Sequence, residues 1–172
     1  MIYITGDTHG EMCRFDSGEV KKLKKGDTLI VCGDFGFIWD GDAKENKNLR
    51  KLGKKKYNIL FLDGTHENFD LLEKYPVTEW KGGLVRNISG NLYHLMRGQV
   101  YTIEDKKIFT FGGGESTEKQ MRIAAGKWWE REMPSMEEMA AGVKNLSAAD
   151  MTVDYILTHE PAPRVMTNTV NP

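Results

Sequence analysis

The chain of 172 residues has only two cysteines, and its 24 basic and 25 acidic residues nearly cancel to a net charge of −1. Cys13 and Cys32 form no C-x-x-C pair, which excludes a disulfide framework and favours a reducing cytoplasm. The balanced charge gives no electrostatic basis for a nucleic-acid or anionic-membrane surface. No apolar run approaches the ~20 residues of a membrane span, and the first ten residues lack the pattern of a signal peptide. We therefore expect a cytoplasmic protein without nucleic-acid or membrane partners.

The chain length favours a single domain over residues 1–172, which would bury roughly 70% of its unfolded surface. Short apolar runs alternate with helix-like stretches, and this alternation indicates an α/β fold. Ser135 and Glu138 form a capping box and predict the start of a helix. Residues 104–107 are expected to join two strands as a hairpin, so the sheets should be mixed. The predicted strands comprise residues 2–5, 28–32, 59–62, 100–103, 108–111 and 155–158, and the other predicted helices comprise residues 44–56 and 69–74.

Side chains that can bind a metal ion follow four of these apolar runs directly. Asp7 and His9 follow the first run and Asp34 the second, whereas His66 and His159 follow two later runs. In parallel sheets the carboxyl ends of neighbouring strands meet at one edge, so these side chains should converge there. Taken singly, each aspartate is also typical of a cap or turn. The joint pattern carries more weight, because three of the four histidines in the chain occupy such positions.

The combination of carboxylates and imidazoles suits Mn, Fe or Zn better than Mg or Ca alone. A carboxylate can also bridge two ions, and two ions about 3.5–4 Å apart can clamp a phosphoryl group. A hydroxide bound between such ions attacks the phosphorus in line. The residues therefore favour a dinuclear metal site for phosphoryl chemistry.

Four motifs, in their order along the chain, resemble those of the calcineurin-like metallophosphoesterase superfamily. They are "GDTHG" (6–10), "GDFG" (33–36), "GTHE" (64–67) and "THEP" (158–161). The resemblance extends over nearly the whole chain. It implies a four-layer αββα sandwich of mixed sheets with a dinuclear centre.

The resemblance also assigns a role to each predicted site residue. Asp7 and His9 would hold the first metal ion, Asp34 would bridge both ions, and His159 would hold the second. His66 would protonate the leaving group or stabilise the transition state. The implied activity is hydrolysis of a phosphomonoester or phosphodiester by a metal-activated hydroxide. The implied cofactors are two divalent ions (Mn, Fe or Zn), and the implied partner is a phosphorylated small molecule or a phosphodiester.

The site departs from the superfamily pattern at two positions. Thr65 stands where the family has an asparagine ligand, so the second metal ion should bind weakly or through water. Phe37 stands where many members have an aspartate that orients the catalytic histidine, and such partners affect function. The candidate replacements near His66 are Asp40, Asp63 and Glu67.

The chain also lacks the Gly-His-x-His motif that closes the family pattern. We expect the C-terminal portion of the fold to be missing; the alternative is a degenerate member. Both alternatives predict weakened metal binding. A second functional hypothesis is therefore a non-catalytic or weakly active binding or regulatory protein with an incomplete metal site. A nucleotide-binding protein without metal is disfavoured, because neither a G-x-G-x-x-G motif nor a P-loop is present.

Several other polar and aromatic groups leave alternatives open. Residues 112–133 could form a loop and helix or a lid, and the glycines of residues 112–116 could approach a phosphate or form a tight turn. His94 is predicted to be an ordinary strand residue. One tryptophan of the pair Trp128 and Trp129 is expected in the core. Three basic residues could bind phosphate, although a solvated surface role is the default for each: Arg97, Lys119 and Arg122.

Overall fold

The computed structural model describes residues 1–161, which form two β-sheets with four α-helices. The larger sheet has the strand order β1-β2-β3-β6-β5-β4. Strands β1, β2, β3 and β6 are parallel, and β5 and β4 continue the sheet in antiparallel register. Its strands are β1 (Ile2–Thr5), β2 (Thr28–Cys32), β3 (Asn58–Leu62), β4 (Val77–Trp80), β5 (Gly83–Ser89) and β6 (Leu92–Leu95).

The smaller sheet has the order β7-β8-β9. Strands β7 (Gln99–Ile103) and β8 (Lys106–Phe111) pair antiparallel, whereas β9 (Tyr155–Thr158) runs parallel to β8. The helices are α1 (Ala43–Gly53), α2 (Phe69–Leu72), α3 (Lys119–Ala124) and α4 (Met136–Ala148). Short 3-10 turns cover Met12–Phe15, Val20–Lys22 and Glu130–Glu132. None of the described helices is long and apolar enough to cross a membrane.

Two hydrophobic cores lie on opposite faces of the larger sheet. Successive strand side chains point to opposite faces, so in β2 Leu29 and Val31 belong to one core and Ile30 to the other. The first core packs against α1 through Leu49 and Leu52. The second core lies between the two sheets and includes Ile30, Leu60, Leu62, Val85, Leu95, Tyr101, Ile103, Ile108 and Leu157.

Helix α4 covers the outer face of the smaller sheet. A Cβ built on Gly142 would lie 3.3 Å from the ring of Phe111 and 3.4 Å from both the ring of Phe109 and the Cα of Gly98. The glycine lets the helix approach the sheet closely. The order of layers is therefore helix, sheet, sheet, helix, and the predicted αββα arrangement is confirmed.

Most predicted elements are present, with two corrections. The six predicted strands and the helix beginning after Ser135 are confirmed, and the capping box between Ser135 and Glu138 is formed. The hairpin turn is shorter than expected, because only Glu104 and Asp105 separate the strands. Both have positive φ angles, 50° and 61°, as a two-residue type I′ turn requires. Strands β4, β5 and β6 had no counterpart among the predicted strands, although His94 of β6 was expected to be a strand residue.

Tyr101 links the two sheets through its hydroxyl group. This fully buried side chain of β7 donates a hydrogen bond to the carbonyl oxygen of Leu84 in β5, at 2.6 Å. The Tyr101 hydroxyl oxygen in turn accepts a hydrogen bond from the backbone N–H of Met96 at 3.1 Å. The hydroxyl therefore satisfies two backbone groups at the junction between the sheets.

We predict that Tyr101→Phe lowers the free energy of unfolding by about 0.5–1.5 kcal/mol, since it removes both hydrogen bonds of the hydroxyl and leaves Leu84 and Met96 only their mutual backbone bond of 3.4 Å. Urea denaturation followed by circular dichroism measures the change. Tyr93→Phe is the matched control, because the Tyr93 hydroxyl makes no hydrogen bond within the part of the chain that the structure describes. Equal stability of the two variants would contradict the proposed link between the sheets.

Candidate metal centre

The loops after β1 and β2 are tied together by backbone hydrogen bonds. The N–H groups of Thr8 and His9 both donate to the carbonyl oxygen of Asp34, at 3.1 and 2.9 Å, and the N–H of Gly10 donates to that of Phe35 at 3.0 Å. The two loops therefore lie against each other where the parallel strands end. This places the carboxylates and imidazoles of both loops at one edge of the sheet.

The Asp34 carboxylate is buried at the centre of this edge, with 6% of its side chain exposed. Its Oδ1 accepts a hydrogen bond from the backbone N–H of His66 at 2.8 Å, and its Oδ2 lies 2.8 Å from Nδ1 of the same residue. Burial raises the pKa of Asp34, but the His66 hydrogen bonds and the nearby His159 imidazole outweigh burial and lower it below 3.8. The carboxylate is consequently ionised at neutral pH.

His159 reaches the same carboxylate from the other sheet. Its Nε2 lies 3.6 Å from Asp34 Oδ1, and its Nδ1 lies 3.8 Å from Asp7 Oδ1. Nδ1 is also 3.0 Å from the carbonyl oxygen of Cys32. Strand β9 is not a neighbour of β1, β2 or β3, so the convergence depends on the packing of two sheets and not on one sheet edge alone.

His9 completes the group from the solvent side. Half of its side chain is exposed (51%), and its Nε2 lies 3.8 Å from Asp34 Oδ2. The rings of His9 and His66 meet edge to face with centroids 5.5 Å apart. His9 and Asp34 both have positive φ angles, 43° and 46°, a region that aspartate and histidine enter more readily than most residues other than glycine.

The donor set fits a divalent metal ion. Asp7, His9 and Asp34 each offer one ligand atom, and these atoms lie within 4.8 Å of one another. His159 lies close to two of these three side chains. Its Nδ1 is 3.8 Å from Asp7 Oδ1 and its Nε2 is 3.6 Å from Asp34 Oδ1. Mixed carboxylate and imidazole donors suit transition metals such as Mn, Fe or Zn.

Two glycines make room for this group. A Cβ on Gly33 would lie 2.1 Å from Nδ1 of His159, and Gly33 has a φ of +94°. A Cβ on Gly64 would lie 2.2 Å from Oδ1 of Asp34. Neither position therefore accommodates a side chain while the neighbouring ligand keeps its place.

The partners of His66 differ from those predicted. Its Nδ1 lies 3.1 Å from the hydroxyl of Thr65 as well as beside Asp34, and its Nε2 lies 3.4 Å from Oε2 of Glu118. Within residues 1–161, the three residues that could have replaced the missing aspartate beside His66, namely Asp40, Asp63 and Glu67, contact other groups. Lys127 contacts Asp40, His94 and Arg97 contact Asp63, and Phe35 donates to Glu67.

Sequence reasoning missed Glu118. Glu118 lies in the segment 112–133, whose sequence shows no regular helix or strand pattern. The hypothesis that this segment forms a lid is the only indication from the sequence that it contacts the site. The segment forms α3 and a 3-10 turn, as the loop-and-helix alternative expected. Through Glu118 it also contacts the site.

Arg97 is buried, so the expectation of a solvated surface role is wrong, and its guanidinium group is engaged by other parts of the protein. It is 7% exposed, pairs with Asp63 and Glu138, and donates to the carbonyl oxygens of Arg131 and Glu132. Burial raises the pKa of Asp63, but the His94 hydrogen bond and the Arg97 charge outweigh it and lower this pKa to about 2. Arg97 therefore ties the end of β3 to α4 and to the segment 112–133.

The remaining phosphate-binding candidates are also engaged elsewhere. Arg122 is buried in an ion pair with Glu132, and Lys119 lies over the Trp128 ring, 4.6 Å from its centroid. The N–H of Gly113 donates to the carbonyl oxygen of Asp63 and that of Gly114 to the carbonyl oxygen of Glu132, so these two groups bind distant backbone and residues 112–116 do not form the tight turn of the alternative. His94 is a residue of β6, as predicted, and Trp129 packs against the first core.

The fold and the site together define an α/β protein with a candidate metal centre at the junction of two sheets. A family model described as calcineurin-like phosphoesterase matches residues 1–171. The chain belongs to the calcineurin-like phosphoesterase family, whose members bind divalent metals and act on phosphorylated substrates. Neither the curated proteins nor the solved structures contained a match to the chain.

We predict that Gly33→Ala weakens Mn²⁺ binding at least about tenfold, because the added methyl group displaces His159. Isothermal titration calorimetry measures the affinity. Gly6→Ala is the matched control, since a Cβ at Gly6 meets nothing within 4 Å. Urea denaturation in EDTA verifies that both variants fold. Equal affinities in two folded variants would contradict the role of Gly33.

Glu67 generates a prediction about pH. It is 1% exposed, and burial raises its pKa well above 4.5 despite a hydrogen bond from the Phe35 N–H. The folded state therefore keeps a proton that the unfolded state releases. The contribution of this proton to the free energy of unfolding is fully present below about pH 4.5 and is lost as pH rises above it. Glu67→Gln has no such proton, so the stability of the wild type relative to this variant should fall by at least about 1 kcal/mol between pH 4 and pH 8.

Urea denaturation in EDTA at a series of pH values from 4 to 8 measures this difference. The difference between the free energies of unfolding of the wild type and the variant should change steadily as pH rises from 4 to 8. Parallel profiles for the two proteins would contradict a protonated Glu67.

Proposed function

We propose that the protein is a metal-dependent phosphoesterase that hydrolyses a phosphomonoester or a phosphodiester at a dinuclear centre. The observation that carries this proposal is the convergence of four side chains around the buried Asp34 carboxylate. Asp7, His9, His66 and His159 approach it from the ends of two strands of the larger sheet, β1 and β3, and one strand of the smaller sheet, β9. Membership of the phosphoesterase family supports the same chemistry.

The proposed ligand roles follow the family resemblance and are supported by the distances. Asp7 and His9 would hold one ion, His159 the other, and Asp34 would bridge them. Two divalent ions there, of Mn, Fe or Zn, would lower the pKa of a coordinated water and stabilise negative charge on the phosphoryl group. The low pKa of Asp34 supports its role, because only the ionised carboxylate can contribute two ligand oxygens.

His66 is proposed as the residue that protonates the leaving group. Its Nδ1 is held beside Asp34 Oδ2 and the Thr65 hydroxyl, which fixes the plane of the ring. Its Nε2 lies on the accessible side of a ring that is 33% exposed. A proton held on Nε2 can therefore be donated to the oxygen that leaves phosphorus, as general acid catalysis requires.

The proposed substrate is a phosphorylated small molecule or a phosphodiester, and the proposed location is the cytoplasm. The location rests on the cysteine usage of the sequence. The described cysteines, Cys13 and Cys32, are both free.

We predict that Asp34→Asn lowers turnover of p-nitrophenyl phosphate and its bis ester by at least about 100-fold with Mn²⁺ present, because the bridging charge is lost. Asparagine tolerates the left-handed conformation of position 34, so the loop should keep its shape. Asp105→Asn is the matched control, as Asp105 also has a positive φ, 61°, in the β7–β8 turn. Unchanged turnover in a folded Asp34→Asn protein would refute the site assignment.

Thr65 supports a second candidate function, that of a non-catalytic or weakly active binding protein. It occupies the family's asparagine position, and its hydroxyl lies 3.1 Å from Nδ1 of His66. A hydroxyl that is shared with an imidazole is a poor metal ligand. The metal content of the purified protein separates the candidates. Two ions per chain with turnover favour the enzyme, whereas one or none without turnover favours the binding protein.

A further inference from the structure

Glu118 places a carboxylate beside the atom of His66 that faces solvent. Its Oε2 lies 3.4 Å from Nε2 of His66, and half of the side chain is exposed (52%). The contact joins residues 52 positions apart. Since 3.4 Å is long for an N–H···O hydrogen bond, the same N–H can also serve a second acceptor.

The backbone that carries Glu118 is held by a buried network. Arg122 and Glu132 form an ion pair at 2.8 Å, with 7% and 1% of their side chains exposed. The other carboxylate oxygen of Glu132 accepts a hydrogen bond from the Ser116 N–H at 3.0 Å. The Ser116 hydroxyl in turn accepts one from the Glu118 N–H at 3.2 Å. The segment therefore presents Glu118 to the site from a fixed backbone.

The position of Glu118 relates it to one part of the substrate. If His66 protonates the leaving oxygen from Nε2, that oxygen must lie within hydrogen-bond distance of Nε2. The atoms attached to the leaving oxygen then lie next to the Glu118 carboxylate. Glu118 thus faces the leaving group and not the phosphoryl oxygens.

The negative charge of this carboxylate is not balanced by a lysine or arginine in the part of the chain that the structure describes. Within residues 1–161, the ion pair recorded for Glu118 involves His66 alone. The two cations closest in sequence point elsewhere, since Lys119 lies over Trp128 and Arg122 pairs with Glu132. A leaving group therefore meets a carboxylate that no lysine or arginine of residues 1–161 neutralises.

We propose that Glu118 determines specificity for the leaving group of the substrate. It favours phosphate esters whose leaving group carries an ammonium or another hydrogen-bond donor near the scissile oxygen, such as an amino alcohol. It disfavours leaving groups that carry a further phosphate or carboxylate. This inference rests on the proposed function, because it places the leaving oxygen beside His66.

The test compares two phosphonates that differ in one charge. In 3-aminopropylphosphonate the bridging oxygen of phosphoethanolamine is replaced by CH2, and in butylphosphonate the terminal ammonium is replaced by a methyl group. Isothermal titration calorimetry with the Mn²⁺-loaded protein measures both affinities without requiring turnover. We expect wild type to bind the amine about two- to fivefold more tightly, as is typical of an exposed ion pair.

Glu118→Gln should abolish this preference, because it removes the charge and keeps the shape of the side chain. The substitution leaves the fold intact, since the Glu118 side chain makes no capping hydrogen bond to α3. Glu130→Gln is the matched control: Glu130 is an exposed residue of the same segment. Its preference should equal that of wild type.

The outcomes separate this inference from the proposed function. Equal binding of the two phosphonates by wild type, or a preference that persists in Glu118→Gln, overturns the role of Glu118 and leaves the phosphoesterase proposal standing. Failure of wild type to bind either phosphonate overturns both. A preference lost in Glu118→Gln and kept in Glu130→Gln supports the inference.

Discussion

The interaction on which the site depends is the pairing of the buried Asp34 carboxylate with the backbone and side chain of His66. The carboxylate oxygens connect the loop after β2 to the loop after β3. The carbonyl oxygen of the same residue accepts two N–H groups from the loop after β1. One residue therefore determines the relative positions of three loops. Because the Asp34 carboxylate is buried and ionised, removing either His66 donor would leave its charge with incomplete compensation.

A second set of buried charges supports the site from behind. Arg97 binds Asp63 at the end of β3, Glu138 in the first turn of α4, and two carbonyl oxygens of the segment 112–133. Arg122 and Glu132 hold the segment itself. Buried ion pairs contribute little to stability when compared with apolar packing, but breaking one is costly. Their contribution here is to position the loops that bear His66 and Glu118.

The sequence was informative where the signal was local. Asp7, His9, Asp34, His66 and His159 could be proposed as site residues because each follows an apolar run, and that change from apolar to polar residues is visible within a few positions. Glu118 and Arg97 could not be assigned, since their roles depend on contacts between distant parts of the chain. Strand β4 was missed because it is largely exposed and shows no buried face. The position of β9 in the second sheet depends on pairing with β8, which no local pattern reveals.

Because His159 lies on the second sheet, a metal centre that includes it would also connect the two sheets. Asp7, His9 and Asp34 belong to the larger sheet, so an ion shared with His159 would cross-link the two sheets across their interface. Cross-links between distant parts of a chain reduce the entropy of the unfolded state. Metal binding and sheet association would then be thermodynamically linked, and the folded fraction would depend on the concentration of free metal. Opening of the sheet interface and release of the ion would then be coupled parts of a single equilibrium.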